Sequence, residues 1–88
     1  MIIKIDKRFE KDTNKVNDKK LLNDVADCIE QVQKSENILK IKKIKRLKTS
    51  ANFYRIRIGD YRIGISINNK TVEFIRFLHR KDIYKYFP

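Results

Sequence analysis

Three arginines near the middle of the chain come together if their segment folds as a β-hairpin. The segment FYRIRIGDYRIGISI alternates apolar and polar residues, which is typical of half-buried strands, and Gly59-Asp60 within it is a two-residue turn signal. Such a turn pairs Arg57 with Arg62, and directly opposed residues project from the same sheet face. Arg55 shares that face because it lies two residues before Arg57. The sequence therefore predicts a cluster of three guanidinium groups on one face of a sheet.

This arginine cluster suits phosphate chemistry. Like charges opposed across strands cost stability, which indicates an anionic partner, and a guanidinium group binds phosphate bidentately. RNA is cut by its own 2′-hydroxyl when one group removes that proton, another protonates the leaving 5′-oxygen and cations stabilise the crowded phosphate. The arginines fit the last of these roles. The structural alternative is a solvated sheet face that carries arginines by chance.

Three further residues with useful chemistry follow at the end of the chain. His79 is the only histidine and stands at the end of a strand, directly before Arg80, and Tyr84 follows in a short tail. A histidine with an unperturbed pKa of ~6.5, or a tyrosine beside cations, could take part in proton transfer. The tyrosine could instead stack on a base. Taken alone, both residues also fit purely structural roles at a strand end and in a packed tail.

The net charge of +11 is concentrated in the second part of the chain. Residues 1–36 contain eight Lys/Arg and eight Asp/Glu, whereas residues 37–88 contain fourteen and three. Such segregation indicates a polyanion, or an acidic protein that masks the surface. A basic connector, residues 38–48, contains six candidate RNA-binding residues and could be a helix extension or an irregular segment pinned by its apolar residues. The six are Lys40, Lys42, Lys43, Lys45, Arg46 and Lys48.

The elements that position these residues form one α+β domain over residues 1–88. A strand candidate at Met1–Ile5 precedes a helix capped by Asp6 and running to about Val16. Asn17 and Asp18 are cap-type residues for a second helix, so the two helices form a hairpin. After a loop at residues 49–52 we expect an antiparallel meander and a short turn or helical tail. The meander strands are Phe53–Ile58, Tyr61–Ile67 and Thr71–His79.

The faces of this sheet follow from simple alternation. The first strand could join the meander as a fourth, one face should pack on the helices, and the other should carry the arginines. In the last strand, alternation predicts one face with Val72, Phe74 and Leu78. The opposite face would carry Ile75, Phe77 and His79.

Several classes of site are excluded by residue type. The lone Cys28 excludes an internal disulfide and a cysteine zinc cluster, and it is expected in or near the core. The three acids of the basic half, Asp60, Glu73 and Asp82, are too scattered to suggest a metal site. We expect no cofactor. The charged N-terminus and the lack of a long apolar run predict a soluble, cytoplasmic protein without a signal peptide or membrane span.

The pairing of FYRIRIGDYRIGISI with VEFIRFLHRKDIYKYF resembles the C-terminal half of the RelE/ParE superfamily of bacterial toxin–antitoxin toxins. With the helical hairpin and the connector, the resemblance extends over the whole chain and implies a RelE-like fold. An arginine followed by a tyrosine near the C-terminus is similar to the RelE branch. That branch implies a metal-independent endoribonuclease that cuts mRNA in the ribosomal A site, and an antitoxin whose acidic segment wraps the toxin.

The resemblance also assigns roles to particular residues. It implies that phosphate binding, transition-state stabilisation and 2′-hydroxyl activation are shared among Arg55, Arg57, Arg62, Arg80 and Tyr84. His79 is a further catalytic candidate, because related toxins use histidines at the end of this strand. The basic connector would dock on ribosomal RNA.

Two alternatives remain open at this stage. ParE-like members of the same superfamily inhibit DNA gyrase, are not nucleases, and also often end in a His-Arg pair. Tyr84 after Arg80 favours the nuclease. The second alternative is a non-enzymatic RNA-binding module, whose affinity would fall with salt according to the number of phosphates it contacts.

Overall fold

A computed structural model describes residues 1–48 and 52–88 of the chain, which form one sheet with helices on both faces. No helix in these two stretches is long and apolar enough to cross a membrane. In chain order the elements are β1 (Ile2–Ile5), α1 (Lys7–Asn14), α2 (Lys19–Lys34), a 3-10 turn (Ile38–Lys40), β2 (Ile44–Arg46), β3 (Phe53–Ile58), β4 (Tyr61–Asn68), β5 (Thr71–His79) and α3 (Ile83–Tyr86).

Both predicted helix starts are confirmed by their caps. The Asp6 carboxylate accepts a hydrogen bond from the Arg8 N–H (2.8 Å), and the Asp18 carboxylate accepts one from the Leu21 N–H (3.1 Å). These bonds satisfy backbone donors that have no partner within the first helical turn. The first helix ends at Asn14, two residues before the predicted end.

The sheet contains the predicted meander and two more strands. Its order is β1-β5-β4-β3-β2, and β1 joins β5 in parallel, as the sequence allowed. The fifth strand, β2, is antiparallel to β3 and was not predicted. The basic connector is therefore neither a helix extension nor irregular, but a 3-10 turn followed by a short edge strand. Of the predicted loop at 49–52, residues 49–51 lie outside the described residues.

A bulge in β5 overturns the predicted faces of that strand. Ile65 pairs with Phe74 while Gly64 pairs with Arg76, which leaves Ile75 as an extra residue. Phe77 therefore joins Phe74 in the main core, whereas strict alternation placed them on opposite faces. The prediction from alternation is wrong here, because one inserted residue moves every later residue of the strand to the opposite face.

Asp12 of α1 satisfies the backbone beside this bulge. Its buried carboxylate accepts the Phe77 N–H (3.0 Å) and two bonds from Arg76, from Nε (2.8 Å) and Nη2 (3.2 Å). A buried carboxylate needs such pairing, since an unpaired charge in the interior is costly. This contact fixes α1 against the second half of β5.

The buried apolar side chains of residues 1–48 and 52–88 form two clusters on opposite faces of the sheet. The main core lies between the sheet and the first two helices, and it contains the buried Cys28, as predicted. The second face was expected to carry arginines, but it also holds a smaller apolar cluster beneath α3, the predicted helical tail. That cluster consists of Ile75, Ile83 and Phe87, with Leu47, Phe53 and Leu78 packed against it.

Candidate active site

The β3–β4 hairpin brings the three predicted arginines to one face of the sheet. The strands pair Arg57 with Arg62, and Arg55 lies two residues away opposite Gly64, as alternation predicted. Gly59 opens the turn with a φ of +57°, a conformation that residues with a Cβ adopt at a cost. The register of this hairpin, and with it the arginine cluster, follows from the turn residues.

Arg62 is the best held of the three. Its Nη1 donates to the carbonyl oxygens of Gly59 (3.0 Å) and Tyr61 (2.9 Å), so the turn itself orients the guanidinium group. Burial lowers the pKa of Arg62, and the positive charges of Arg55 and Arg57 lower it further. Burial and repulsion both disfavour the charged form of Arg62, and an anion bound beside it would stabilise that form.

Two residues from the end of the chain also act on Arg62. The charge of Arg80 lowers the pKa of Arg62, whereas Tyr84 acts in the opposite direction. The Arg80 N–H donates to the Asp60 carbonyl (2.8 Å), which ties the chain after β5 to the β3–β4 turn. The other arginines of the hairpin, Arg80 and Tyr84 thus all lie near enough to affect Arg62, although they come from two parts of the chain.

The short strand β2 adds a lysine to this surface. Lys45 pairs directly with Arg55 and therefore projects from the arginine face. Arg55 donates from Nη1 to the Lys43 carbonyl (3.2 Å), while its buried Nε has no hydrogen-bond partner among the described residues. From the sequence, Lys45 is predicted to lie in a separate docking segment, because the spacing of apolar residues in the connector does not predict that β2 pairs with β3.

The other basic residues of the connector extend beyond this surface. All six predicted residues are exposed, and they extend from the 3-10 turn through β2 to Lys48. Lys45, Arg46 and Lys48 line a groove of about 420 Å³ between β2 and the C-terminal end of the chain. The remaining lining residues are Leu47, Tyr84, Phe87 and Pro88.

His79 lies on the opposite side of the sheet from the arginines. It pairs with Tyr61, whereas its neighbour Leu78 pairs with Arg62 on the arginine face. Its ring meets that of Tyr61 edge to face at 5.5 Å, and its Nδ1 accepts the Lys81 N–H (3.2 Å). The structure therefore brings together five of the six predicted catalytic residues and leaves His79 apart.

The cluster can stabilise negative charge. Over residues 1–48 and 52–88, the four ion pairs involve Arg8, Lys20, Lys34 and Arg76, and none of them involves Arg55, Arg57, Arg62 or Arg80. Guanidinium donors on one face, two of them (Arg55 and Arg62) held by backbone carbonyls, suit a phosphate that gains charge during a reaction. Tyr84, a residue that is 63% exposed, adds a hydroxyl group near enough to affect the pKa of Arg62.

Comparison with known proteins gives three consistent matches. A family model described as the ParE toxin of the type II toxin–antitoxin system parDE matches residues 3–84. Toxin RelE3 of Methanocaldococcus jannaschii is 52% identical over 61 residues, which cover 68% of this chain and 69% of that protein. A RelB–RelE antitoxin–toxin complex from Methanococcus jannaschii matches at 43% identity with a TM-score of 0.82, covering 97% of this chain and 99% of that chain.

A more distant structure shares the fold alone. It is the archaeal RelE–RelB complex from Pyrococcus horikoshii OT3, with a TM-score of 0.74 at 20% identity. The match covers 90% of this chain and 93% of that one.

Proposed function

Because the chain belongs to the RelE/ParE superfamily of type II toxin–antitoxin toxins, we propose that it is an endoribonuclease that cleaves mRNA in the ribosomal A site. The observation that supports this best is the group of arginines around Arg62, none of which forms an ion pair within the described residues. Repulsion among these arginines destabilises the free protein, and a phosphate bound between them would relieve that repulsion.

In this proposal the 2′-oxygen forms a bond to phosphorus, the bond from phosphorus to the 5′-oxygen breaks, and the proton lost by the 2′-hydroxyl is balanced by one gained by the 5′-oxygen. The residues divide the work of this transesterification. Arg55, Arg57, Arg62 and Arg80 hold the scissile phosphate and stabilise the charge that develops on it. Tyr84 is proposed to assist proton transfer at the 2′-hydroxyl, because it lies near enough to Arg62 to affect the pKa of that residue. His79 faces the helix side of the sheet and is proposed to be structural.

The basic connector would bind the phosphate backbone of the ribosome. Two of its six exposed cations, Lys45 and Arg46, belong to the edge strand β2, and the other four lie before or after that strand. A row of lysines also protects an edge strand from pairing with other chains, so part of this charge has a structural use. Lys45 belongs to both regions, since it pairs with Arg55.

A second candidate function is inhibition of DNA gyrase. It is favoured by the family model, whose description names ParE. The curated relative and the matched complex at 43% identity both carry the name RelE, and Tyr84 stands beside the arginines, which favours the nuclease.

The partner proposed for this toxin is an antitoxin with an acidic segment. The matched structures are complexes of RelE with RelB, and this chain presents fourteen basic residues against three acids over positions 37–88. An acidic segment across the arginine face would neutralise the cluster and block phosphate binding at once.

Primer extension on a translating extract tests the proposal. Addition of the purified wild-type protein should produce new mRNA 5′ ends within codons at the A site, and none when translation initiation is blocked. The Arg8→Ala variant is a matched control, because it removes an arginine that pairs with Asp6 outside the cluster.

A gyrase supercoiling assay run in parallel separates the two candidates. Intact mRNA together with blocked supercoiling would overturn the nuclease proposal in favour of gyrase inhibition. Intact mRNA with normal supercoiling and salt-dependent RNA binding would leave a non-enzymatic RNA-binding module.

A further inference from the structure

The C-terminal tail, residues 80–88, is held to the arginine face by few contacts. Its helix α3 has four residues, and Asp82 at its start makes no side-chain cap. A helix of this length has little stability of its own. Among the described residues, the backbone hydrogen bonds that begin at Asp82 and beyond reach no farther than His79. The first residue of the tail, Arg80, is held by the Asp60 carbonyl, so the position of the tail beyond it depends on two buried side chains, Ile83 and Phe87.

Phe87 is seated directly on the backbone of Gly64. A Cβ built on Gly64 would lie 2.7 Å from two atoms of the Phe87 ring and 2.8 Å from a third. The ring is 3% exposed and meets Phe53 edge to face at 5.5 Å. Gly64 lies in the middle of β4 without a positive φ, so the close approach of the ring, not the backbone conformation, requires the glycine.

This contact lies within the proposed active site. Gly64 pairs with Arg55 in the neighbouring strand, and Tyr84 is three residues before Phe87. Tyr84 and Phe87 also line the same groove as Leu47. A shift of the ring would move Tyr84 relative to the arginines.

We propose that Gly64 and Phe87 are positioning residues, which fix the place of Tyr84 beside Arg62 through the seat of the Phe87 ring on the Gly64 backbone. The proposal rests on the nuclease function proposed above. A displacement of about 1 Å in a catalytic group costs on the order of 10²-fold in rate, so the absence of a single methyl group at Gly64 matters to the chemistry.

A double-mutant cycle tests this coupling. Gly64→Ala should lower kcat for cleavage by about 10²-fold with little change in KM, because the ribosome-binding surface is untouched. Phe87→Leu should lower kcat by a smaller factor than Gly64→Ala does. The double variant Gly64→Ala/Phe87→Leu should cleave faster than Gly64→Ala alone, because the smaller side chain leaves room for the new methyl group.

Two controls separate positioning from loss of fold. Val25→Ala removes core volume from α2 on the other side of the sheet, where Val25 is 4% exposed. It should lower thermal stability and leave kcat unchanged at a temperature where every variant is folded. A Gly64→Ala protein with wild-type kcat, or a double variant no faster than Gly64→Ala, would overturn the proposal.

A second measurement does not depend on cleavage. In the wild-type protein we expect nuclear Overhauser contacts between the Tyr84 ring and the Leu47 methyl groups, since both residues line one groove. These contacts should weaken in Gly64→Ala and return in the double variant. Unchanged contacts in Gly64→Ala would exclude the positioning role. If the wild-type protein cut no RNA while these contacts responded as expected, the nuclease proposal would fail and the positioning of Tyr84 would stand.

Discussion

Arg57 and Arg62 lie directly opposite each other across the β3–β4 hairpin, and neither takes part in an ion pair within the described residues. Opposed like charges destabilise a sheet. The free protein therefore holds a repulsion that an anionic ligand on this face would relieve.

The first prediction concerns this pair. Arg62→Ala should lower the rate of mRNA cleavage by about 10²–10³-fold, because it removes a donor oriented toward the developing charge. The free energy of unfolding should change by less than about 1 kcal/mol, since relief of repulsion offsets two lost hydrogen bonds. Single-turnover cleavage and urea unfolding measure the two quantities. Normal cleavage by Arg62→Ala would mean that the site assignment is wrong.

The second prediction separates the two candidates for proton transfer. Tyr84→Phe should lower the cleavage rate by about 10²-fold, the range expected for loss of general acid–base assistance. Tyr86→Phe is the matched control, because Tyr86 lies on the same helix and is 58% exposed but does not line the groove. His79→Gln should retain nearly full activity, since His79 is on the other face. A severe loss in His79→Gln with normal Tyr84→Phe would reverse the assignment.

The third prediction concerns stability at the bulge of β5. Asp12→Ala should destabilise the fold by about 3–5 kcal/mol, because it leaves the Arg76 guanidinium and the Phe77 N–H without their shared acceptor. The double variant Asp12→Ala/Arg76→Met should recover part of this loss by removing the unpaired charge. Urea unfolding at neutral pH measures both. A loss below about 1 kcal/mol in Asp12→Ala would show that the pair adds little.

The fourth prediction is a pH dependence of stability. Burial raises the pKa of Cys28 from 9.0 to about 11. Between these values the unfolded chain loses a proton that the folded chain keeps, so stability falls as pH rises through this window. The loss should amount to roughly 2 kcal/mol by pH 11. The difference between wild-type and Cys28→Ala unfolding curves isolates it, and parallel curves from pH 8 to 11 would contradict the burial of this thiol.

Much of the fold was predictable because its elements are defined by near neighbours in the chain. The caps at Asp6 and Asp18, the alternation of β3 and the turn at Gly59 are each set within a few residues. The strand β2 was missed because three residues among lysines give too little alternation to identify a strand.

The part of the candidate site that lies within one hairpin was predictable from the sequence, and the rest was not. The face shared by Arg55, Arg57 and Arg62 follows from a single turn and the pleat. The place of His79 does not, because it depends on the bulge at Ile75, and apolar residues on both faces of β5 hide an inserted residue. The sequence predicts Lys45 only as part of the connector, because its place on the arginine face depends on the pairing of β2 with β3.

The sequence by itself determined the local parts of this protein: the helix starts, the hairpin register and the concentration of positive charge after residue 36. Only the tertiary structure decided which distant segments meet at the arginines. Lys45 is placed there by the pairing of β2 with β3. Tyr84 is placed there by the tail, whose Phe87 ring packs where a side chain at Gly64 would lie. The physical reason is that periodicity and turn chemistry act over a few residues, whereas these contacts depend on packing between segments ten or more residues apart.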